Sequence, residues 1–195
     1  MKKALFITTL FIVVGCSNKI VLFDQIEDKG EIGSPLVYFE NRVLTGTVLD
    51  YHPDGSLKLS SSFRKGKLDG ILNSWSEDSL LLCDIHFKKG SKNGVFKQFD
   101  EAGQLIFDGV YAKDKKNGIF KIFMASGQLL TEGLFIKGVM HGSHKTFNEK
   151  GQLTIESNYL NGILHGKQCS WDADGVIISE ETYDKGSLLN IAPVE

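Results

Sequence analysis

The sequence predicts an all-β fold: an elongated antiparallel meander, or solenoid-like array, of about six β-hairpin repeats of 24 residues each. Three observations support this prediction. Several residue types recur every 24 positions, apolar and polar residues alternate within each unit, and glycine closes the short loops. Alternation with a period of two indicates strands, and glycine-punctuated loops indicate hairpins. Because one such unit cannot bury its own apolar face, neighbouring units must stack.

Five series of residues share the 24-residue period without insertion or deletion. The first aromatic column comprises Phe39, Phe63, Phe87, Tyr111, Phe135, Tyr159 and Tyr183. The second aromatic column comprises Tyr51, Trp75, Phe99, Phe123, Phe147 and Trp171. One glycine series runs through Gly46, Gly70, Gly94, Gly118, Gly142 and Gly166, and the other through Gly55, Gly103, Gly127, Gly151 and Gly175. The apolar series is Leu57, Leu81, Leu105, Leu129, Leu153 and Ile177. Each unit therefore contains a strand, a turn, a returning strand and a second turn.

The repeat also resembles a known family. The pattern aromatic-x-x-Gly-x-x-x-Gly, found at residues 87–94, is followed by an aromatic residue and then by Asp/Glu-x-Gly-x-Leu, and it resembles the MORN repeat. It is most similar to the bacterial variant in YwqK-like proteins, which are often labelled antitoxins. The resemblance covers residues 36–186 and implies the fold more sharply than the function. Arg42 and Asn190 depart from the pattern, so we expect capping units at both ends.

The N-terminus has the features of a secretion signal. Lys2 and Lys3 precede an apolar run over residues 4–14, which is too short to span a bilayer. The run ends in Val13-Val14-Gly15-Cys16, which resembles the lipobox of bacterial prolipoproteins. The resemblance implies cleavage between Gly15 and Cys16 and stable membrane attachment through lipidated Cys16. An ordinary cysteine beside the signal is the alternative.

These features divide the chain into four expected segments. They are a signal peptide at 1–15, lipidated Cys16 with a tether at 16–35, the repeat domain at 36–190 and a tail at 191–195. The apolar residues 20–23 are a candidate covering strand within the tether. Since Ser17 rather than Asp follows the cysteine, we expect a cell-envelope location, at the outer membrane if the bacterium has two membranes.

Charge and motifs exclude several classes of function. Without Lys2 and Lys3 the chain has 20 basic and 24 acidic residues, which argues against binding nucleic acid and against an electrostatic grip on anionic lipid. The sequence contains no Gly-x-Ser-x-Gly elbow, phosphate loop or His-Glu-x-x-His motif. We therefore expect neither an enzyme nor a cofactor.

The histidines are candidate metal ligands, and Cys83 and Cys169 are candidates for a disulfide. The position before each loop-closing glycine is filled by Asp69, Asn93, Asn117, His141 and His165. Such residues tolerate positive φ, so we interpret the column as a strained loop position. The alternative is a metal site at His141, His144 and His165, but equivalent residues one unit apart are separated by about 9–10 Å, too far to share a zinc ion. Cys83 and Cys169, about 30 Å apart in a regular array, should stay unpaired.

The face opposite the aromatic columns is predicted to carry Lys97, Lys121 and Lys145 at one repeat position, as a short basic line. These lysines are either a solvated face or the contact for an acidic partner. The aromatic columns are expected to be the core of the sheet, with a binding stripe as the alternative. Together the expectations describe a membrane-anchored lipoprotein whose array binds a protein partner, as an antitoxin or immunity protein. The alternative is a structural scaffold of the envelope without an inhibitory role.

Overall fold

The computed structural model describes residues 19–30 and 36–193. Gly15, Cys16 and the signal peptide lie outside these residues. The strands, in chain order, are β1 (Lys19–Leu22), β2 (Ile26–Asp28), β3 (Val37–Phe39), β4 (Arg42–Val43), β5 (Gly46–Tyr51), β6 (Leu57–Arg64), β7 (Lys67–Trp75), β8 (Leu81–Lys88), β9 (Ser91–Phe99), β10 (Leu105–Ala112), β11 (Lys115–Lys116), β12 (Gly118–Phe123), β13 (Leu129–Ile136), β14 (Val139–Phe147), β15 (Leu153–Leu160), β16 (Ile163–Trp171), β17 (Ile177–Asp184) and β18 (Ser187–Ala192). A short 3-10 turn, Phe23–Gln25, joins β1 to β2.

One long sheet contains 15 of these strands. From β5 to β18 each strand pairs antiparallel with its sequence neighbours, except that the short β11 pairs only with β10 and the path continues through β12. The predicted all-β antiparallel array of hairpins is confirmed. Within the described residues, no helix is long and apolar enough to cross a membrane.

Short two-residue turns join the strands along one edge of the sheet, which we call the short-turn edge. Lys137 and Gly138 illustrate them, with φ of 52° and 88°. Two left-handed residues make a type I′ turn, whose twist matches that of the flanking strands. The first turn residue is left-handed at Lys65, Lys89, Lys113, Lys137, Asn161 and Lys185.

These turns correct the prediction of a strained column before each closing glycine. Asp69, Asn93, His141 and His165 lie inside strands, and none of the column has a positive φ. The left-handed residues come four positions earlier, because the two-residue turn alone reverses the chain. The glycines that follow the column do have positive φ, as at Gly142 with φ of 70°.

Five-residue turns join the strands along the opposite edge, the long-turn edge. In one of them the Asn148 side-chain oxygen accepts hydrogen bonds from the backbone N–H groups of Lys150 (2.9 Å) and Gln152 (3.0 Å). Gly151, with φ of 77°, donates its N–H to the carbonyl oxygen of Asn148. Strands of eight or nine residues separate the two edges by about 26–30 Å.

A small cap covers the N-terminal end of the sheet. Val21, Val37, Leu44 and Val48 form its buried core. Strand β1 pairs parallel with β5, while β2, β3 and β4 form a separate three-stranded sheet. Residues 19–28, which include the candidate covering strand at 20–23, form two strands and a 3-10 turn. Arg42 lies in the small sheet of this cap.

Beyond the cap the sheet is a single layer. Among the described residues outside the cap, the buried hydrophobic side chains are Phe96 and Phe120. The final strand, β18, contains Asn190, and its exposed Leu189 and Ile191 lie at the end of the array. Both faces of the sheet are thus accessible along its length.

Candidate functional site: the two faces of the sheet

The first aromatic column lies on one face, which we call the ring face. The rings of Phe96 and Tyr111 have centroids 5.0 Å apart, Tyr111 and Phe120 are 5.5 Å apart, and Phe120 and Phe135 are 6.1 Å apart. Contacts of this length are favourable aromatic pairs. Phe96 and Phe120 are not members of the first aromatic column, so the packed spine of the single-layer sheet is formed by Tyr111 and Phe135 of the column together with these two phenylalanines.

Two lysines cover this spine. Lys92 Nζ lies 5.2 Å from the Phe96 ring centroid, and Lys116 Nζ lies 4.3 Å from that of Phe120. A lysine at this distance over a ring makes a cation–π contact while its aliphatic stem shields the ring from water. Side chains of the protein itself thus cover much of the apolar surface of the ring face.

Large and small residues alternate across the ring face, a feature that sequence reasoning missed. In register, Phe96 faces Gly109, and Phe120 faces Gly133, which in turn faces His144. A Cβ atom on Gly133 would lie 2.6 Å from His144 Cδ2. The sequence contains a sign of this alternation, a series of small residues with a period of 24 positions. Its members are Ser61, Gly109, Gly133 and Ser157, and Ile85 interrupts it.

Lys97, Lys121 and Lys145 lie on the other face, and the basic line predicted for them is wrong. Each lysine faces carboxylates on both neighbouring strands. The register row, which we call the charge ladder, is Asp84, Lys97, Asp108, Lys121, Glu132, Lys145, Glu156, Cys169 and Glu180. Lys121 Nζ is 3.9 Å from a Glu132 oxygen, and Lys145 Nζ is 3.8 Å from one of Glu156. The carboxylates also recur every 24 residues, so the sequence held a signal for them.

Cys169 occupies the next lysine position of the charge ladder. Burial, followed by the nearby Glu180 carboxylate, raises the pKa of its thiol. Lys167 pairs with Glu180 at 2.6 Å, so a cation still meets this carboxylate. Cys83 and Cys169 are both free. The register puts them on opposite faces, since Cys83 alternates with Asp84 of the ladder.

The second aromatic column shares the face of the charge ladder, which we call the ladder face. This corrects the expectation that both aromatic columns lie on the face opposite the lysines. Phe120 and Phe123 are three residues apart on β12, so strand alternation sends them to opposite faces. Phe123 therefore lies on the same side as Lys121, and it pairs across the strands with Leu129.

An exposed aliphatic row completes the ladder face. Ile71, Val110 and Ile119 belong to it, and Ile119 is 56% exposed. Ile119 and Leu134 line a shallow depression of about 280 Å³ together with Glu132, Gly133, Ser143 and Lys145. The ladder face thus combines a ring column, a stripe of alternating charge and exposed aliphatic side chains. Such a surface is suited to non-covalent recognition.

The histidines do not form a metal site. His144 lies on the ring face, where its Nε2 is 3.1 Å from Thr131 Oγ1, and burial lowers its pKa. His165 Nδ1 is 3.2 Å from an Asp184 oxygen. Residues 19–30 and 36–193 contain no group of three or more potential ligands placed to hold a metal ion.

The hairpins match a known repeat. A family model described as MORN repeat variant matches residues 92–113, 140–161 and 164–185. Together the three matched segments cover about a third of the chain. Each matched segment contains two strands joined by a long turn, as in β14 and β15. MORN repeats suggest a repeat-based binding or scaffold role.

Two other comparisons provide less information about the chain than the family model does. No curated protein matches the chain. Among solved structures it is similar to a mutant of S. aureus TarM, crystallised in complex with fondaparinux, alpha-GlcNAc-glycerol and UDP, with 15% sequence identity and a TM-score of 0.32. That likeness covers 49% of this chain and 19% of that chain. It therefore carries no argument about this protein.

Proposed function

We propose that this protein is a lipid-anchored envelope protein whose MORN sheet binds a protein partner through the ladder face. In this proposal it acts as an antitoxin or immunity protein that occludes a toxin. The observation that supports it is the composition of the ladder face, where the rings and aliphatic side chains flank the charge ladder. Recognition without chemistry needs no cofactor.

The ladder face has the composition of a protein-binding surface. Interfaces are enriched in aromatic residues, and exposed apolar side chains such as Ile119 supply area to bury. Alternating charges favour a partner with the complementary order and disfavour one shifted by a single strand, because like charges would then meet. The ladder thus contributes specificity, and the apolar residues contribute affinity.

The anchor rests on the N-terminal sequence. The signal-like residues 1–15 followed by Cys16 support export and lipidation. A surface-held immunity protein would meet an envelope-active toxin where it arrives. Substitution Cys16→Ser should abolish acylation and move the protein from the membrane to the soluble fraction, measured by mass spectrometry and fractionation.

Partner binding is tested by crosslinking and affinity capture of the full chain from detergent-solubilised envelope. The variant Ile119→Asp places a charge on the ladder face. Its matched control is Ile155→Asp, since Ile155 is also a strand isoleucine, 43% exposed, but belongs to the ring face. Ile119→Asp should lose the partner and Ile155→Asp should retain it, with both folds checked by circular dichroism. Equal capture by both variants would contradict the ladder face as the binding surface.

The identity of the captured protein separates immunity from scaffolding. One stoichiometric toxin, together with self-intoxication when the gene is deleted, would support immunity. Several structural proteins of the envelope, without a deletion phenotype of that kind, would favour the scaffold instead.

A further inference from the structure

The ring face changes composition along the array. From β7 to β12 its central register row consists of apolar side chains and one glycine: Leu72, Ile85, Phe96, Gly109 and Phe120. From β14 to β17 the same row is polar: His144, Ser157, Gln168 and Glu181. The next row towards the long-turn edge changes in the same sense, from Phe107 and Ile122 to Ser170 and Ser179. We call the ring-face side chains of β7–β12 the apolar half and those of β14–β17 the polar half.

A hydrogen-bond network joins the side chains of the polar half. Ser157 Oγ donates to Gln168 Oε1 at 2.9 Å, and Gln168 Nε2 donates to a Glu181 oxygen at 3.5 Å. Glu181 also accepts hydrogen bonds from Ser179 Oγ at 3.2 Å and from the Tyr183 hydroxyl. The network thus fixes polar groups of three strands relative to one another. Polar groups placed in advance in this way determine which ligand a site selects.

Two tyrosine rings flank the network on the side of the short-turn edge. Tyr159 and Tyr183 are successive members of the first aromatic column, two strand spacings or about 9–10 Å apart. Both are partly exposed. The residues paired with them are Leu164 and Leu188, at the positions where the apolar half has lysines lying over rings. Each tyrosine therefore offers an apolar ring next to a hydroxyl that donates and accepts.

The charge of the polar half disfavours anionic ligands. The lysines of β14 and β16, Lys145 and Lys167, lie on the ladder face. Strands β15 and β17 contain no lysine or arginine. Burial lowers the pKa of His144, which keeps its ring neutral near pH 7. Glu181 thus provides the charge of this surface, and a phosphate, sulfate or carboxylate group would be repelled by it.

A neutral sugar chain matches both the chemistry and the shape of the polar half. The serine and tyrosine hydroxyls and the Gln168 amide both donate and accept hydrogen bonds, as the hydroxyl groups of a sugar do. The C–H face of a pyranose ring packs on an aromatic ring. Strands β14–β17 form an open surface about 14–15 Å across, which suits an extended chain better than a compact molecule. The distance between the two tyrosine positions is similar to the length of a disaccharide in an extended β-1,4-linked chain.

We propose that the polar half of the ring face binds a neutral, extended, β-1,4-linked glycan that lies across β14–β17. Sugar rings pack on Tyr159 and Tyr183, and sugar hydroxyls make hydrogen bonds with Gln168 and Glu181. This site goes beyond the proposed function, because it is on the face opposite the charge ladder. The array can therefore hold a glycan on one face and a protein partner on the other.

The test is isothermal titration calorimetry of the full chain with chitohexaose, a neutral β-1,4-linked oligomer of N-acetylglucosamine. The detergent must have no sugar headgroup. The two site variants introduce residues found at the equivalent position of another repeat: Gln168→Leu copies Leu72, and Glu181→Ser copies Ser157. The matched control, Gln98→Ile, removes a partly exposed glutamine from the apolar half of the same face. Circular dichroism checks the fold of every variant.

We expect the parent to bind chitohexaose and each site variant to bind it about fivefold more weakly or worse, because each loses hydrogen bonds to the sugar. Gln98→Ile should bind as the parent does. Failure of the parent to bind, unchanged binding in either site variant, or an equal loss in the control would overturn the proposal. Binding of the deacetylated, cationic hexamer alone would also overturn it, since attraction to the Glu181 charge would then explain the result. Capture of a protein partner tests the ladder face, so either conclusion can fail without the other.

Discussion

Gly109 leaves its side-chain space to the ring of Phe120. A Cβ atom on Gly109 would overlap that ring, and the same glycine faces Phe96 on the other neighbouring strand. Phe120 is 5% exposed, which is unusual for a single-layer sheet. Lys116 above it and Gly109 beside it account for that burial. The ring face is thus stabilised by the close fit between neighbouring side chains as well as by the apolar area that they bury.

This relationship predicts a strong local effect of one methyl group. Gly109→Ala should destabilise the protein by about 1–3 kcal/mol, because the ring must move out of its position. The measurement is urea unfolding followed by tryptophan fluorescence. In a Phe120→Leu background the same substitution should cost clearly less, since the two residues are coupled. Equal costs in the two backgrounds would contradict the packing argument.

The type I′ turns predict opposite effects of two substitutions at one position. Lys137 has φ of 52°, a conformation that asparagine tolerates and β-branched residues do not. Lys137→Asn should leave stability equal or slightly raised, while Lys137→Val should lower it by about 1–2 kcal/mol. Thermal unfolding of the two variants measures the difference. A tolerated valine would mean that this turn is not held in the left-handed conformation.

The repeat period alone was enough to predict the architecture. Each 24-residue unit holds two strands and two turns, so glycine and aromatic positions located every hairpin. The face of the second aromatic column was predicted wrongly, because it depends on whether an odd or an even number of residues separates Phe120 from Phe123 on one strand. The resemblance of the two columns in sequence concealed that difference.

The charge ladder was missed for a different reason. Lys121 and Glu132 are 11 residues apart in sequence, and only strand register brings them opposite each other. A prediction from sequence treated the lysines as a series of their own, although the carboxylates have the same period.

The ladder predicts that the order of its charges matters. Glu132→Lys would place three lysines in adjacent register, at positions 121, 132 and 145. It should cost about 0.5–1 kcal/mol more than the neutral Glu132→Gln, because like charges directly opposite repel. Urea unfolding at low salt measures the difference, which should shrink at high salt as screening increases. Identical stabilities of Glu132→Lys and Glu132→Gln at low salt would exclude pairing along the ladder.

The burial of His144 predicts that the stability of the protein depends on pH. Burial on the ring face lowers the pKa of His144 below its ordinary value of 6.5, so the unfolded chain binds this proton more tightly than the folded one. The stability contributed by the neutral ring is therefore complete above pH 6.5 and declines as the pH falls from there towards the lower folded-state pKa. His144→Gln places at this position the residue found one repeat later, Gln168. The variant should lose less stability than the parent between about pH 7.5 and about pH 5, measured by urea unfolding.

Thr131→Val provides the control for that experiment. It removes the hydroxyl that lies 3.1 Å from His144 Nε2 but leaves the titrating ring in place. Because desolvation is the cause of the lowered pKa, this variant should keep the pH dependence of the parent even if its overall stability falls. If Thr131→Val flattened the pH profile as much as His144→Gln, the hydrogen bond and not burial would control the proton. If His144→Gln followed the parent, then another group would account for the loss of stability in acid.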